Sequence, residues 1–199
     1  TSTRNAARKI WPYEHPNYNE EMLARLLFCF ENDPENHGHI SGAQDAIGIC
    51  MSGLTRHYYN NRYWPDKIES VHDEDILSWL ESHVCLVPMF PRKENVNILE
   101  GKDITRDKVK ALADAAERCW DAILTRDLDA FAQAYTDSFN AQVSMFPAMM
   151  QPGVEEYIER CKAAGAMAWK MCGAGGGGHL AIVVDKVPEF AVPIRIRRQ

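Results

Sequence analysis

The chain has 199 residues, enough for one or two domains with cores of their own. Its 46% apolar and 25% charged residues make an ordinary globular composition, and a net charge of −6 without a basic stripe excludes a nucleic-acid-binding face. No apolar run approaches the ~18 residues of a membrane span and no signal-peptide pattern opens the sequence, so no membrane partner and a cytoplasmic location are expected.

Thr1-Ser2-Thr3 leads into Arg4-Asn5-Ala6-Ala7-Arg8-Lys9-Ile10, which reads as the cap and first turns of a helix over 3–11 that stops at Pro12. A second helix is expected over 19–31, where Met22, Leu23, Leu26, Leu27 and Phe30 recur at helical spacing. Polar residues from Asn32 to His39 form a loop. A short helix from Gly42 to Ser52, capped by Ser41, should follow. Segments 54–60 and 62–71 look extended and are rich in Tyr, His and Trp. Asp73 to Glu81 predicts a short helix and His83 to Phe90 a strand.

After a charged loop through Pro91-Arg92-Lys93-Glu94, Thr105 caps a long helix. Val109, Leu112, Ala113, Ala116, Trp120 and Ile123 form its apolar stripe. Leu128, Phe131, Tyr135 and Phe139 mark the next helix, and Val154, Tyr157, Ile158 and Cys161 another beyond Pro152. A strand, a glycine run and a second strand come next. A last strand near 192–197 alternates Ile194 and Ile196 with Arg195, Arg197 and Arg198, a charged face of the kind that protects a sheet edge. Helices and strands mix without a βαβ alternation, so the class is α+β. The six cysteines never form C-x-x-C and read as mostly buried thiols of a reducing compartment.

Gly173-Ala174-Gly175-Gly176-Gly177-Gly178 is the most informative stretch. Holding a glycine in one conformation costs roughly 0.5–1 kcal/mol relative to alanine, so five cost a sizeable share of the ~5–15 kcal/mol of a domain's stability. A hairpin needs only one or two. The run predicts a close approach to the backbone, with anions as the usual visitors to a nest of N–H groups. It is neither a dinucleotide fingerprint, since no helix follows, nor a Walker loop, since His179 and Leu180 follow Gly178.

Asp45 lies in the first turn of the short helix, where the dipole favours a carboxylate; it either supports that terminus or orients or deprotonates a hydroxyl. Ser2 and Thr3, at a helix start, are ordinary caps or holders of phosphate and a metal ion. Lys170 either pairs with a phosphate or substrate oxygen or points to solvent. His37 and His39 lack the spacing of a metal site and read as a solvated loop.

Together these pieces resemble the GHMP kinase family. Gly165-Ala166-Met167-Ala168-Trp169-Lys170-Met171-Cys172, followed by the glycines, is similar to the family's third motif. Ser41-Gly42-Ala43-Gln44-Asp45 resembles the stretch carrying the catalytic Asp in the sugar-kinase branch, notably heptose kinases. Thr1-Ser2-Thr3 looks like the tail of the second motif, Gly-x-Gly-x-Ser-Ser.

The resemblance implies only the C-terminal portion of such a kinase. Residues 1–72 would be the end of the N-terminal, Asp-bearing domain, and 73–199 a ferredoxin-like C-terminal domain. It further implies ATP and Mg2+ as cofactors and a sugar as substrate, the anomeric hydroxyl of a heptose or heptose phosphate being favoured. Tyr58, Tyr59, Tyr63 and Trp64 suit a sugar better than a lipid-like acid. By resemblance, Asp45 contacts the accepting hydroxyl and Ser2 with Glu31 holds magnesium, Glu35 being the alternative acid. Ser2, Thr3, Gly173, Ala174, Gly175, Gly176 and Gly177 line the nucleotide, and Lys170 and Gly176 reach substrate. A non-catalytic module of the same fold, or another activity of the family including its decarboxylases, stays open.

Overall fold

The computed structural model describes residues 19–33, 35, 41–91 and 97–198; the helix expected over 3–11 lies outside them. The chain divides into two compact units, Thr1–Asp73 with Ile196–Gln199, and Glu74–Arg195.

In the first unit, helices α1 (Glu20–Glu31) and α2 (Ala43–Cys50) precede a hairpin of β1 (Leu54–Tyr58) and β2 (Lys67–Val71). Asn19 caps α1 by accepting the Glu21 N–H, and Glu20 and Glu21 sit where the helix dipole favours acids. The helices share a core of Ala24, Leu27, Ala43, Ala46, Ile47 and Cys50. Three of these six are alanines, and small side chains let two backbones approach.

The cap expected at Ser41 is absent. Gly42 is the N-cap and gives α2 no side-chain cap, because the Ser41 N–H is held by Asn32 Oδ1 at 2.7 Å. At the other end of α2 the buried Ser52 donates its N–H and its hydroxyl to Glu20 Oε2, both at 2.8 Å. The hairpin runs in register from Leu54↔Val71 to Tyr58↔Lys67. Its connection, residues 59–66, is longer than the 2–5 residues usual for a hairpin loop.

The final strand expected over 192–197 shrinks to Val192–Pro193, designated β6 below. The arginines beyond it do not form an edge-protecting face. Arg195 reaches Glu81 at 3.3 Å, while Arg197 donates to the carbonyls of Ile49, at 2.7 Å, and Met51. The Arg197 carbonyl accepts the Gly53 N–H at 2.8 Å. Segment Ile196–Arg198 is thereby tied to the C-terminal end of α2 by polar bonds, which satisfies carbonyls that the last helical turn leaves open.

In the second unit, α3 (Glu74–His83) leads to β3 (Val84–Pro88), and α4 (Arg106–Thr125) and α5 (Leu128–Met145) follow. A 3₁₀ turn (Pro147–Met149), α6 (Val154–Ala163), β4 (Ala166–Met171) and β5 (His179–Val184) precede β6. The strands form an antiparallel sheet in the order β4-β5-β3-β6. The expected Thr105 cap is present: its Oγ1 accepts the Lys108 N–H, and α4 ends at Arg126 in the left-handed conformation. Asp127 then caps α5.

After His179 every residue of β5 is buried, as a central strand covered on both faces requires. Leu180, Ile182 and Val184 pack with Cys85, Val87, Phe139, Met149, Val154 and Ile158. The observed architecture is thus the α+β one, mixed helices on an antiparallel sheet. Among the described residues no helix is long and apolar enough to cross a membrane. All six cysteines are free; Cys50, Cys85 and Cys161 are buried and Cys119 is half-buried, whereas Cys29 and Cys172 are exposed.

Candidate functional site

Two sets of predicted residues fall in different units. In the first unit, Asn32 fastens the end of α1 to the start of α2. Its Nδ2 donates to the Phe28 carbonyl at 2.8 Å and to that of Ser41 at 3.3 Å, while its Oδ1 holds the Ser41 N–H. Glu31, the last residue of α1, and Asp45, in the first turn of α2, are thereby set on neighbouring, mutually packed helix ends.

Asp45 is exposed, while Glu31 is half-buried. Burial, and then the charge of Asp45, hold the Glu31 carboxyl above its usual range. Glu35, the alternative acid, lies in a turn with its N–H on Asp33 Oδ1 at 3.0 Å. Ser2 and Thr3, and likewise His37 and His39, lie outside the described residues.

In the second unit the glycine run connects β4 to β5 with positive φ at all five glycines. The close approach that the glycines predict is made in part by the protein itself. A Cβ on Gly175, whose φ is +75°, would stand 2.9 Å from Met149 Cε and 3.2 Å from Met171 Sδ. Two of the amides also serve the fold. Gly176 N–H donates to the Met149 carbonyl at 3.1 Å and Gly178 N–H to that of Phe90 at 2.9 Å, while the Gly178 carbonyl accepts the Met89 N–H. These bonds pin the middle and end of the loop to the 3₁₀ turn and the end of β3. Among the described residues the N–H groups of Gly173, Ala174 and Gly177 meet no protein acceptor, and Gly173 and Ala174 are exposed. The nest is therefore narrower than the run of glycines implied.

Lys170 does not point freely to solvent. Its Nζ donates to the Oγ of the buried Ser138 on α5 at 2.5 Å, and burial pushes the amine below its usual range. Nearby, burial pushes the Cys119 thiol up to about 11 against the opposing pull of Lys170 and Arg118. Burial likewise raises the Tyr135 hydroxyl. Lys170 is thus a strut between β4 and α5 with donors left over.

Asn32 and Met149 carried no sequence signal as positioning residues, and Arg197 read as part of a strand face, because their partners are main-chain atoms that only the fold brings to them. Among the described residues no group of three or more His, Cys, Asp or Glu side chains is arranged to hold a metal ion. Magnesium nevertheless takes one or two carboxylates and fills its other positions with water and phosphate oxygens. Glu31 beside Asp45 fits that donor set: burial chiefly, and the charge of Asp45 in addition, disfavour an ionised Glu31, and a cation there would offset both.

Residues 121–192 match the model of the C-terminal domain of GHMP kinases. No curated protein sequence matches the chain. Among solved structures, a mevalonate kinase is 16% identical with a TM-score of 0.61, covering 85% of this chain and 50% of its own. A D-glycero-D-manno-heptose 1-phosphate kinase from Bacteroides thetaiotaomicron is 17% identical with a TM-score of 0.58, covering 90% and 53%. A Campylobacter jejuni chain assigned as a sugar kinase is 23% identical with a TM-score of 0.57, covering 85% and 46%. At such identities the likeness is one of fold. The chain spans about half the length of these structures.

Proposed function

We propose that this chain, whose residues 121–192 match the GHMP kinase C-terminal model, serves an ATP-dependent sugar kinase. The reaction is transfer of the γ-phosphoryl group to a sugar hydroxyl, the anomeric hydroxyl of a heptose or heptose phosphate. The observation that carries the proposal is the glycine loop: it is clamped by Met149 and Phe90, yet among the described residues it leaves the Gly173, Ala174 and Gly177 amides without acceptors. Backbone donors fixed in advance are suited to phosphate oxygens, whose charge spreads as the phosphoryl group leaves.

In the second unit those amides hold phosphate oxygens, and Gly175 keeps the loop wall free of side chains. Lys170 lends positive charge through the ammonium donors that Ser138 does not use. In the first unit Asp45 accepts a hydrogen bond from the attacking hydroxyl and aligns it, taking the proton as the new O–P bond forms. Glu31, with Ser2 from outside the described residues, would hold magnesium, which when bound supplies positive charge to the phosphates.

The test is ADP release by purified protein with ATP and magnesium, measured with and without a panel of aldoses and their phosphates. Sugar-dependent ADP with a matching phosphorylated product supports the proposal. ADP formed at one rate whatever the sugar, or no nucleotide binding, refutes it.

A further inference from the structure

The first unit contains a cavity of about 400 Å³ to which neither Asp45 nor Glu31 contributes a wall. Its walls come from one flank of α1, with Arg25, Phe28 and Cys29, and from the β1–β2 connection, with Arg62, Trp64 and Asp66. A volume of several hundred Å³ is in the range of small-molecule sites. The connection that closes it is longer than a hairpin requires, and surplus loop on a rigid scaffold is where binding residues concentrate. Its base is fixed by the Asp66 N–H on the Tyr58 carbonyl at 2.8 Å.

The chemistry of the walls is selective. Phe28 and Trp64 meet with ring centroids 5.6 Å apart, and the Arg25 guanidinium lies 5.0 Å over the indole. Arg62 carries the second positive charge. Both arginines make i,i+4 ion pairs, Arg25 with Glu21 at 3.6 Å and Arg62 with Asp66 at 3.5 Å, and with both guanidinium side chains more than half exposed these pairs hold them weakly enough for a phosphate to compete. Trp64 Nε1–H is buried without an acceptor among the described residues, a donor that costs free energy while it stays unpaired. Tyr59 and Tyr63, on the same connection, are 49% and 64% exposed. Aromatic faces, two forked cations, one carboxylate and a spare N–H suit a ligand with an apolar ring face, hydroxyls and an anionic group.

We propose that this cavity binds a phosphorylated sugar, with Arg25 and Arg62 on the phosphate and Trp64 and Phe28 against the ring. The inference rests on the sugar-kinase reading for its choice of a sugar, yet it is tested without nucleotide or turnover. The full chain is titrated calorimetrically with glucose 1-phosphate, glucose 6-phosphate, glucose and inorganic phosphate.

At least one sugar phosphate is expected to bind tenfold or more tighter than glucose and than inorganic phosphate. Arg25→Gln and Arg62→Gln should each weaken it about tenfold or more, while Lys110→Gln in the other unit leaves it unchanged. Trp64→Phe, which keeps a ring but removes the N–H, should weaken both phosphosugar and neutral-sugar binding. Equal affinity for inorganic phosphate would reduce the cavity to a charge patch and overturn the proposal. So would no binding by either sugar phosphate, or unaltered affinity in both arginine variants whose folds are intact by circular dichroism. Failure here with sugar-dependent ADP release intact rejects the cavity alone. Binding without turnover rejects the kinase reading alone.

Discussion

Replacing Arg197 by methionine tests how the Asp45 helix is held. The guanidinium makes two charge-assisted bonds to main-chain carbonyls at the end of α2, Ile49 and Met51, where a positive charge also suits the helix dipole. Bonds to charged groups contribute about 1.5–3 kcal/mol each, and the orphaned carbonyls add a desolvation cost. Against this stands the guanidinium's own burial, since its Nε has no partner among the described residues. The balance is a loss of about 2–4 kcal/mol of local stability, or roughly 30-fold or more in the opening equilibrium.

The two units need not unfold together, so a single melting curve is the wrong assay. Amide hydrogen exchange resolves local opening. Met51 and Gly53, whose N–H groups bond to Ile47 and Arg197, should exchange roughly 30-fold faster in Arg197→Met. Amides of β3 and β5 should not change. Arg197→Lys should fall between, because an ammonium keeps the charge but not the planar fork. Unchanged exchange at Met51 and Gly53 would refute the reasoning.

The remaining predictions concern the second unit and the thiols. Gly175→Ala should cost about 2–5 kcal/mol in urea unfolding, from left-handed strain plus the clash with Met149 and Met171, whereas Gly173→Ala, with open space around it, should cost only about 1–2; equal costs would contradict the close-approach argument. The depressed Lys170 amine makes the folded chain bind fewer protons than the unfolded one between its folded value and the ordinary ~10.4. Stability should therefore rise with pH through that window by more in the wild type than in Lys170→Met, and parallel pH profiles would refute it. Iodoacetamide at mildly alkaline pH should label exposed Cys29 before Cys85, which is buried and pushed up to about 11; mass spectrometry showing the reverse order would contradict that placement.

Much of the architecture was legible because its signals are local. Thr105 sits ahead of a long apolar stripe and caps that helix, and β-branched residues after the glycines form a strand rather than a helix. The failures share a cause in partners that only the fold brings together. Ser41 has the chemistry of a cap, but Asn32 holds its backbone, so Gly42 takes the place. Arg195 and Arg197 alternate with isoleucines as a strand would, yet an ion pair with Glu81 and the carbonyls of α2 divert them. The glycine run pointed to a close approach to a bare backbone. Only the fold reveals that Met149 makes part of that approach, and that among the described residues the Gly173, Ala174 and Gly177 amides stay open.

The most direct test of the central claim compares the wild type with Asp45→Asn, measuring sugar-dependent ADP release and MgATP binding in the same preparation. In Asp45→Asn kcat should fall roughly 100-fold or more, the loss typical when a proton-transfer group is removed, with nucleotide affinity nearly unchanged. Equal turnover in the two proteins would contradict it.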